Sequence, residues 1–322
     1  MNKSKVLFFS IMILSTGLTV SSNNWMSMWM GLEINIMSFM PLIMNKYNKN
    51  SSTAAMTYFL IQSLGSLMFL FSMLMKQQIE LFNELMTLSL MIKLGSAPFH
   101  MWVPEIMSKL SWYSCLMLST WQKIAPISML INMQNNNTLM NIMISLSATM
   151  GAIGGINQTS LRKIMGYSSI NHLAWMMMSS STNSWMMYIM IYSIMMMMIC
   201  YLFNYYNMLF ISQMNSMNMT GGEKMSLALS MLSMGGLPPF LGFLPKWMVI
   251  QNMINEKNFM TMIILIMMSL ITLMYYTRIM VKMMIMSAST QKWITHKSKT
   301  KINLMIIITN SSLPLIMIMN FK

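Results

Sequence analysis

Two proline-rich segments lie inside apolar runs of this chain, and they constrain its fold more than any other feature. The first reads KLGSAPFHMWVPE over residues 93–105, and the second reads GLPPFLGFLPKW over residues 236–247. Proline removes a backbone donor and clashes with the preceding turn, so we expect a broken helix in each run. A broken membrane helix beside a buried charge is tolerated where it lines a polar cavity, not where it faces lipid.

The two segments superimpose without a gap. The matched pairs are Gly95 with Gly236, Pro98 with Pro239, Phe99 with Phe240, Trp102 with Phe243, Pro104 with Pro245 and Glu105 with Lys246. Five of the eight prolines of the chain lie in these segments. Interrupted helices at corresponding places in two halves point to an ion or substrate path in a transporter-like fold. The alternative is a pair of accidental proline kinks.

The composition is that of a polytopic, all-α membrane protein. Of 322 residues, 56% are hydrophobic and only 8% are charged, and aspartate is absent. Soluble proteins carry about 25% charged residues. The net charge of +14 is therefore interpreted through its distribution between loops, not as a sign of nucleic-acid binding.

About 20 apolar residues are needed to cross a bilayer. On that measure the sequence predicts eleven membrane helices, near residues 5–22, 25–45, 54–75, 80–108 (broken), 111–132, 138–158, 161–181, 184–210, 225–250 (broken), 258–284 and 302–320.

Basic residues in the predicted loops give an orientation. The side that holds the N-terminus collects thirteen of them, namely Lys3, Lys5, Lys46, Lys49, Lys109, Arg162, Lys163, Lys224, Lys282, Lys292, Lys297, Lys299 and Lys301. The opposite side holds three, namely Lys76, Lys257 and Lys322. This bias predicts an N-terminus on the cytoplasmic or matrix side.

The broken helices are the fourth and the ninth in the predicted order, and this odd offset of five makes the repeat inverted. We therefore expect two inverted five-helix halves, over residues 1–132 and 133–284. Residues 285–322 would form a basic loop and a final membrane helix.

Four charges fall inside predicted helices: Glu33, Lys93, Lys123 and Lys246. A charge at the bilayer centre costs about 2.5–3.5 kcal/mol on insertion scales, so each needs a partner or a hydrated cavity. Glu33 is the natural partner of Lys93. Movement of the glutamate charge would let this lysine release a proton, and a row of lysines is suited to pass protons along.

Each of these residues also has a structural interpretation. The charges can be static ion pairs between helices, and Lys246, near a helix end, can extend towards the interface. His172 can relay protons, since its ordinary pKa lies near neutrality, or it can be a hydrogen-bonded core histidine.

Gly151 and Gly155 form a GxxxG spacing that allows close helix approach. Arg278 is interpreted as an interfacial anchor.

Redox cofactors are not expected in this chain. Its two cysteines, Cys115 and Cys200, are too few for an iron–sulfur cluster. No GxGxxG or phosphate-binding loop is present, and the three scattered histidines do not predict a metal site.

Five ordered motifs resemble subunit 2 of mitochondrial NADH–ubiquinone oxidoreductase (respiratory complex I). They are GLEINIMSFMPLI at 31–43, KLGSAPFHMWVPE at 93–105, TWQKIAP at 120–126, LRKIMGYSSINHLAW at 161–175 and GGLPPFLGFLPKW at 235–247. The resemblance implies an eleven-helix, antiporter-like fold in the mitochondrial inner membrane, with other complex I subunits and lipids as partners.

The resemblance also implies roles. Glu33 and Lys93 would form an acid–lysine pair, Lys123 would be the central lysine, and Lys246 would lie towards the intermembrane space. NADH oxidation and ubiquinone reduction elsewhere in the complex would drive proton translocation. The flavin, the iron–sulfur clusters, NADH and ubiquinone would be bound by other subunits.

Two other functions remain open on the residues alone. A self-contained cation–proton exchanger would use the same fold without a redox partner, although the chain lacks aspartate to bind a metal cation. A structural membrane scaffold would use the buried charges only to hold helices together.

Overall fold

The structure, a computed structural model, describes residues 3–44, 49–75, 81–133, 137–181, 184–216, 219–285 and 300–312. These residues form fifteen α-helices and one short 3₁₀ turn, with no strand among them. The helices are α1 Lys3–Ser21, α2 Trp25–Ile43, α3 Lys49–Met75, α4 Leu81–Leu94, α5 Trp102–Lys109, α6 Trp112–Ser119, α7 Trp121–Ile131, α8 Asn137–Ile156, α9 Leu161–Met178, α10 Trp185–Tyr205, α11 Gln213–Ser216, α12 Gly221–Gly235, α13 Phe243–Asn255, α14 Phe259–Ile285 and α15 Thr300–Asn310.

Six of the described helices contain a stretch long and apolar enough to cross a membrane. These stretches are Ser4–Ser21, Trp25–Ile43, Lys49–Met75, Thr138–Ile156, Trp185–Tyr205 and Phe259–Met284. Large apolar side chains on their outer faces are exposed, as expected where a helix faces lipid.

The two predicted breaks are built in the same way. Helices α4 and α12 end immediately before Gly95 and Gly236, which have positive φ angles of 71° and 80°. Each glycine closes a Schellman-type cap: the Ser96 N–H donates to the Met91 carbonyl at 3.1 Å. The Leu237 N–H donates to the Leu232 carbonyl at 3.5 Å.

The second half-helices begin at matched positions as well. Helix α5 begins at Trp102 and α13 begins at Phe243, so each break spans seven residues. Glycine is required at both caps because other residues strain in the left-handed region. The prediction of two interrupted helices with a shared local design is confirmed at these breaks.

One predicted helix, residues 111–132, is not continuous. The chain leaves the regular helix at Thr120, between α6 and α7, where φ is −114° and ψ is −71°. The Thr120 hydroxyl donates to the Leu116 carbonyl at 2.7 Å, and such back-bonding bends a helix. Pro126 supplies no N–H for the carbonyl four residues earlier, which loosens the start of α7 further.

Helix α12 begins four residues before its predicted start at 225. Thr220 and Glu223 form a capping box, in which the Thr220 N–H donates to Glu223 Oε2 at 2.8 Å. Glu223 is buried by this arrangement. The sequence TGGE contains the residues of this capping box. Its two glycines disfavour a helix, which is why the sequence predicted a later start for α12.

Close packing of α8 and α9 confirms the packing role predicted for the GxxxG pair. A Cβ added at Gly151 would lie 2.7 Å from the Asn171 backbone nitrogen, on α9. A Cβ at Gly155 would lie 2.7 Å from the Tyr275 ring, on α14. Gly151 therefore allows α9 to approach α8 closely, and Gly155 allows α14 to do so.

The predicted anchor Arg278, near the end of α14, ties that helix to the end of α8. Its guanidinium donates to the Ile156 carbonyl and, at 2.9 Å, to the Gln158 carbonyl. The C-terminal ends of α8 and α14 therefore lie at the same face of the protein as the start of α9. We call this the basic face, since Arg162, Lys163 and Lys282 also lie near it.

Candidate functional site

Three lysines lie inside the helical assembly, each with at most 5% of its surface exposed. They are Lys93 at the end of α4, Lys123 in α7 and Lys246 in α13. Burial of an ammonium group is costly unless polar groups or water solvate it. The surroundings of each lysine therefore determine what it can do.

Lys93 lies one residue before the end of α4, so the first break opens next to it. Its backbone carbonyl accepts a hydrogen bond from Gln62 Nε2, in α3, at 3.0 Å. Its ammonium group makes no hydrogen bond with a described residue. A buried ammonium without a protein partner needs water.

A cavity of about 20 Å³ lies between Lys93 and Lys123. Both lysines line it, together with Asn35, Tyr58, Gln62 and Gln122. Roughly 10–15 Å³ suffices for one water when polar partners surround it. The cavity is therefore suited to hold water that connects the two ammonium groups.

A polar network fixes the wall of this cavity. The Tyr58 hydroxyl donates to Gln122 Oε1 at 3.2 Å, and Gln122 Nε2 donates to Asn35 Oδ1 at 3.0 Å. Helices α2, α3 and α7 thus share one set of hydrogen bonds. Gln122 precedes Lys123 in α7, so the network holds the turn of α7 that carries this lysine.

Lys123, in α7, contacts α9 and α10. Its ammonium group donates to the Ser169 carbonyl, in α9, at 2.6 Å and lies 5.7 Å from the centre of the Tyr192 ring. A charged donor to a carbonyl and a cation–π contact both stabilise a buried ammonium. On its other side Lys123 lines the cavity, which has room for water.

Helix α9 links the central lysine to the second break. Ser169, His172 and Trp175 follow at a spacing of three, so neighbours in this series lie one turn apart on one side of α9. Ser169 contacts Lys123, and the Trp175 ring centre lies 5.8 Å from the Lys246 ammonium. His172 therefore lies between the two lysines.

His172 is buried and hydrogen-bonded. A hydrogen bond of 3.0 Å joins its Nδ1 to the Tyr188 hydroxyl, and its ring centre lies 4.8 Å from that of Tyr192. It also contacts the backbone of Met234, in the last turn of α12. The geometry fits both interpretations drawn from the sequence, since a hydrogen-bonded core histidine can also exchange a proton with a neighbouring hydroxyl.

Lys246 does not extend towards the surface as its position near a helix end allowed. Its ammonium group donates a hydrogen bond of 2.9 Å to the carbonyl of Gly235, the last residue of α12. The left-handed turn at Gly236 leaves this carbonyl free to accept. The second break thus supplies the partner of its own lysine.

Glu33 and Lys93 are not in direct contact. Within the described part of the chain, no carboxylate oxygen lies within 4.0 Å of the Lys93 ammonium. Glu33 is half-buried on α2, and α3 packs between α2 and α4. Glu33 is nevertheless near enough to influence Lys93 electrostatically. The acid–lysine pair therefore stays a prediction, since the two side chains form no direct ion pair in the structure.

The remaining charged residues of the first break have local partners. Glu105 forms an ion pair of 3.2 Å with Lys109, one turn on, and its side chain is 63% exposed. His100 is buried in the break, with Nδ1 3.3 Å from the Pro98 carbonyl. Neither residue joins the line of buried lysines.

Comparison with known proteins places this geometry in a family. Residues 22–80 and 75–272 match the transmembrane family described as NADH:quinone oxidoreductase/Mrp antiporter. NADH-ubiquinone oxidoreductase chain 2 of Locusta migratoria is 40% identical over 99% of this chain and 97% of that protein. The Mus musculus protein of the same name is 36% identical over 96% of both chains.

Solved structures share the fold at lower identity. A chain of respiratory complex I from Thermus thermophilus superimposes with a TM-score of 0.83 and 18% identity, over 95% of this chain and 76% of that one. A chain of the Mrp complex from Dietzia gives 0.76 and 14%, over 85% and 58%. On the strength of its close relatives, the chain belongs to the NADH-ubiquinone oxidoreductase chain 2 family, within the NADH:quinone oxidoreductase/Mrp antiporter proteins.

Proposed function

We propose that this chain is a proton-translocating subunit in the membrane arm of a respiratory NADH:ubiquinone oxidoreductase. Its relatives at 36–42% identity carry the name of that enzyme's chain 2. The observation that carries the proposal is the line of polar groups that joins three buried lysines through a cavity and a histidine. An apolar membrane core gains nothing from such a line unless charge moves along it.

The proposed path begins where Glu33 acts on Lys93. A change in the Glu33 charge or its distance alters the proton affinity of Lys93, which exchanges a proton with water in the cavity. Lys123 takes part from the other side of the same cavity. His172 then connects Lys123 to Lys246, the lysine next to the second break.

The proposal includes the architecture that these residues require. Eleven membrane helices would form two inverted halves, residues 1–132 and 133–284, with residues 285–322 added at the end. The identical caps at Gly95 and Gly236 support this repeat. The N-terminus would face the matrix side of the mitochondrial inner membrane.

Electron transfer would occur in other subunits. They would bind NADH, flavin, the iron–sulfur clusters and ubiquinone, while this chain contributes only charge movement within the membrane. Neighbouring antiporter-like subunits and membrane lipids would cover its exposed apolar faces. The chain would therefore act as part of the reductase and not as an enzyme by itself.

A Lys123→Met variant tests the proposal. Methionine keeps the length and packing of the side chain but cannot carry a proton. We expect assembled complex to retain its NADH dehydrogenase activity with a hydrophilic acceptor, while proton uptake through this chain slows about tenfold. The measurement is proton pumping by purified complex in sealed vesicles, per electron transferred.

Lys257→Met, on an exposed turn, is the matched control and should pump normally. Normal pumping by fully assembled Lys123→Met complex would reject the proposal. Sodium-dependent proton flux by the isolated chain, without NADH, would favour a self-contained exchanger instead. Loss of assembly in the Lys123 variant alone would favour the structural scaffold.

A further inference from the structure

Four buried tyrosines lie beside His172 and along α14 towards Arg278, and the proposed path of lysines assigns them no role. Helix α10 contributes Tyr188 and Tyr192, and α14 contributes Tyr275 and Tyr276. Each of the four is at most 2% exposed. Buried tyrosine hydroxyls usually have hydrogen-bond partners, so their surroundings are informative.

Three of the four hydroxyls lack a well-formed hydrogen bond among the described residues. They are those of Tyr192, Tyr275 and Tyr276. The Nε atom of Arg278, one turn beyond Tyr275, is also buried without a partner. A contiguous set of buried polar atoms without well-formed hydrogen bonds indicates internal water, since an unsatisfied buried polar group is costly.

These groups are neighbours that lead from the end of α8 to α9. Arg278 is tied to the end of α8, and the Tyr275 ring packs on Gly155 in the last turn of that helix. Tyr276 follows, with its ring centre 4.7 Å from that of Tyr275 and its hydroxyl beside Ser168 of α9.

The inner end of the series reaches the proposed proton path. Tyr188 is hydrogen-bonded to His172, and the Tyr192 ring contacts both His172 and Lys123. Tyr276 lies close enough to both of these tyrosines to act on them electrostatically. His172 is eleven residues into α9, or about 16 Å from its start. The α14 tyrosines lie towards the basic face, and the α10 tyrosines pack against His172.

We propose that this cluster, with Ser168, is the proton-uptake route of this chain, which carries protons from the basic face to His172 through hydroxyls bridged by internal water. At each step an oxygen lone pair accepts one proton and the same oxygen releases its own proton onwards. Every hydroxyl is neutral before and after, and the proton ends on the imidazole. The inference rests on the proposed function.

A Tyr276→Phe variant tests the route, because it removes the central hydroxyl and keeps the ring packing. We expect assembled complex with unchanged NADH oxidation by a hydrophilic acceptor, and proton uptake slowed about tenfold. The double variant Tyr275→Phe/Tyr276→Phe should slow uptake further, since a single water cannot replace two hydroxyls. The measurement is proton uptake by purified complex in sealed vesicles, in H₂O and in D₂O.

Tyr201→Phe is the matched control: it makes the same change on α10 at a site that is 40% exposed. A purely structural role for Tyr276 would lower thermal stability without changing uptake per electron or its isotope effect, and would overturn the inference. Wild-type uptake by the double variant would overturn it too. If Lys123→Met is impaired while the double variant is not, the proposed function stands and only this route fails.

Should the double variant fail to assemble, Tyr192→Phe tests the same series at its inner end. The reduced uptake expected there supports the route. Unchanged uptake in that variant rejects it.

Discussion

At the residue scale, Gly236 and Lys246 constrain each other. The glycine has a φ of 80°, and a Cβ added to it would lie 2.9 Å from the Lys246 Nζ. Any larger residue would therefore have two effects: it would strain the backbone and it would displace the Lys246 ammonium group. One glycine thus sets both the helix break and the position of its lysine.

We expect Gly236→Ala to lower the stability of the protein by about 1–2 kcal/mol, since alanine is unfavourable in the left-handed region. Proton pumping should fall as well, because Lys246 loses its place beside the Gly235 carbonyl. Melting temperature of the detergent-solubilised complex and pumping in vesicles measure the two effects. Gly222→Ala, where an added Cβ meets nothing within 4 Å, should change neither the melting temperature nor pumping. If Gly236→Ala left both unchanged, Lys246 would have room to move and this account would be wrong.

At the element scale, α9 is the helix that unites the site. It presents Ser169, His172 and Trp175 to Lys123, Tyr188 and Lys246. Its position depends on α8, whose backbone approaches it closely at Gly151. The register between these two helices therefore affects every contact of the path.

A Gly151→Ala variant should separate α8 from α9. The added Cβ would meet the Asn171 nitrogen at 2.7 Å and the Tyr167 carbonyl oxygen at 2.9 Å, and neither backbone can move freely. We expect a loss of about 1–3 kcal/mol, seen as a lower melting temperature, and slower pumping. Gly17→Ala in α1, with open space around it, should be neutral or stabilising by helix propensity. Equal melting temperatures for the two variants would contradict this account.

At the scale of the whole molecule, α12 and α13 together should cross the membrane once. Gly222 lies at the start of α12 and Glu256 at the end of α13, and both residues are exposed. The break between the helices then lies inside the membrane, where Lys246 is buried.

Cysteine labelling tests this crossing. We expect Gly222→Cys to react with an impermeant maleimide from the matrix side, and Glu256→Cys from the opposite side only. The native Cys115 and Cys200 are buried and should give a low background. Labelling of both new cysteines from one side would show that the broken helix turns back, and the proposed topology would be wrong.

The sequence by itself determined the class of the protein, the two breaks and the lysines. Glycine and proline act on the backbone locally, so their spacing at 95–104 and 236–245 was sufficient to predict matched interruptions. The cost of a charge in hydrocarbon depends little on details, so Lys93, Lys123 and Lys246 stood out as buried. The GxxxG spacing similarly predicted close helix packing.

Only the tertiary structure decided what surrounds these groups. The separation of Glu33 from Lys93 by α3, the cavity beside Gln122 and the Ser169 partner of Lys123 all depend on how helices distant in sequence pack. The break at Thr120 arises from a side-chain hydrogen bond that composition does not reveal. Tyrosines resemble any other aromatic core residue until their hydroxyls are located. Partners across helices are set by packing geometry, which no single segment encodes.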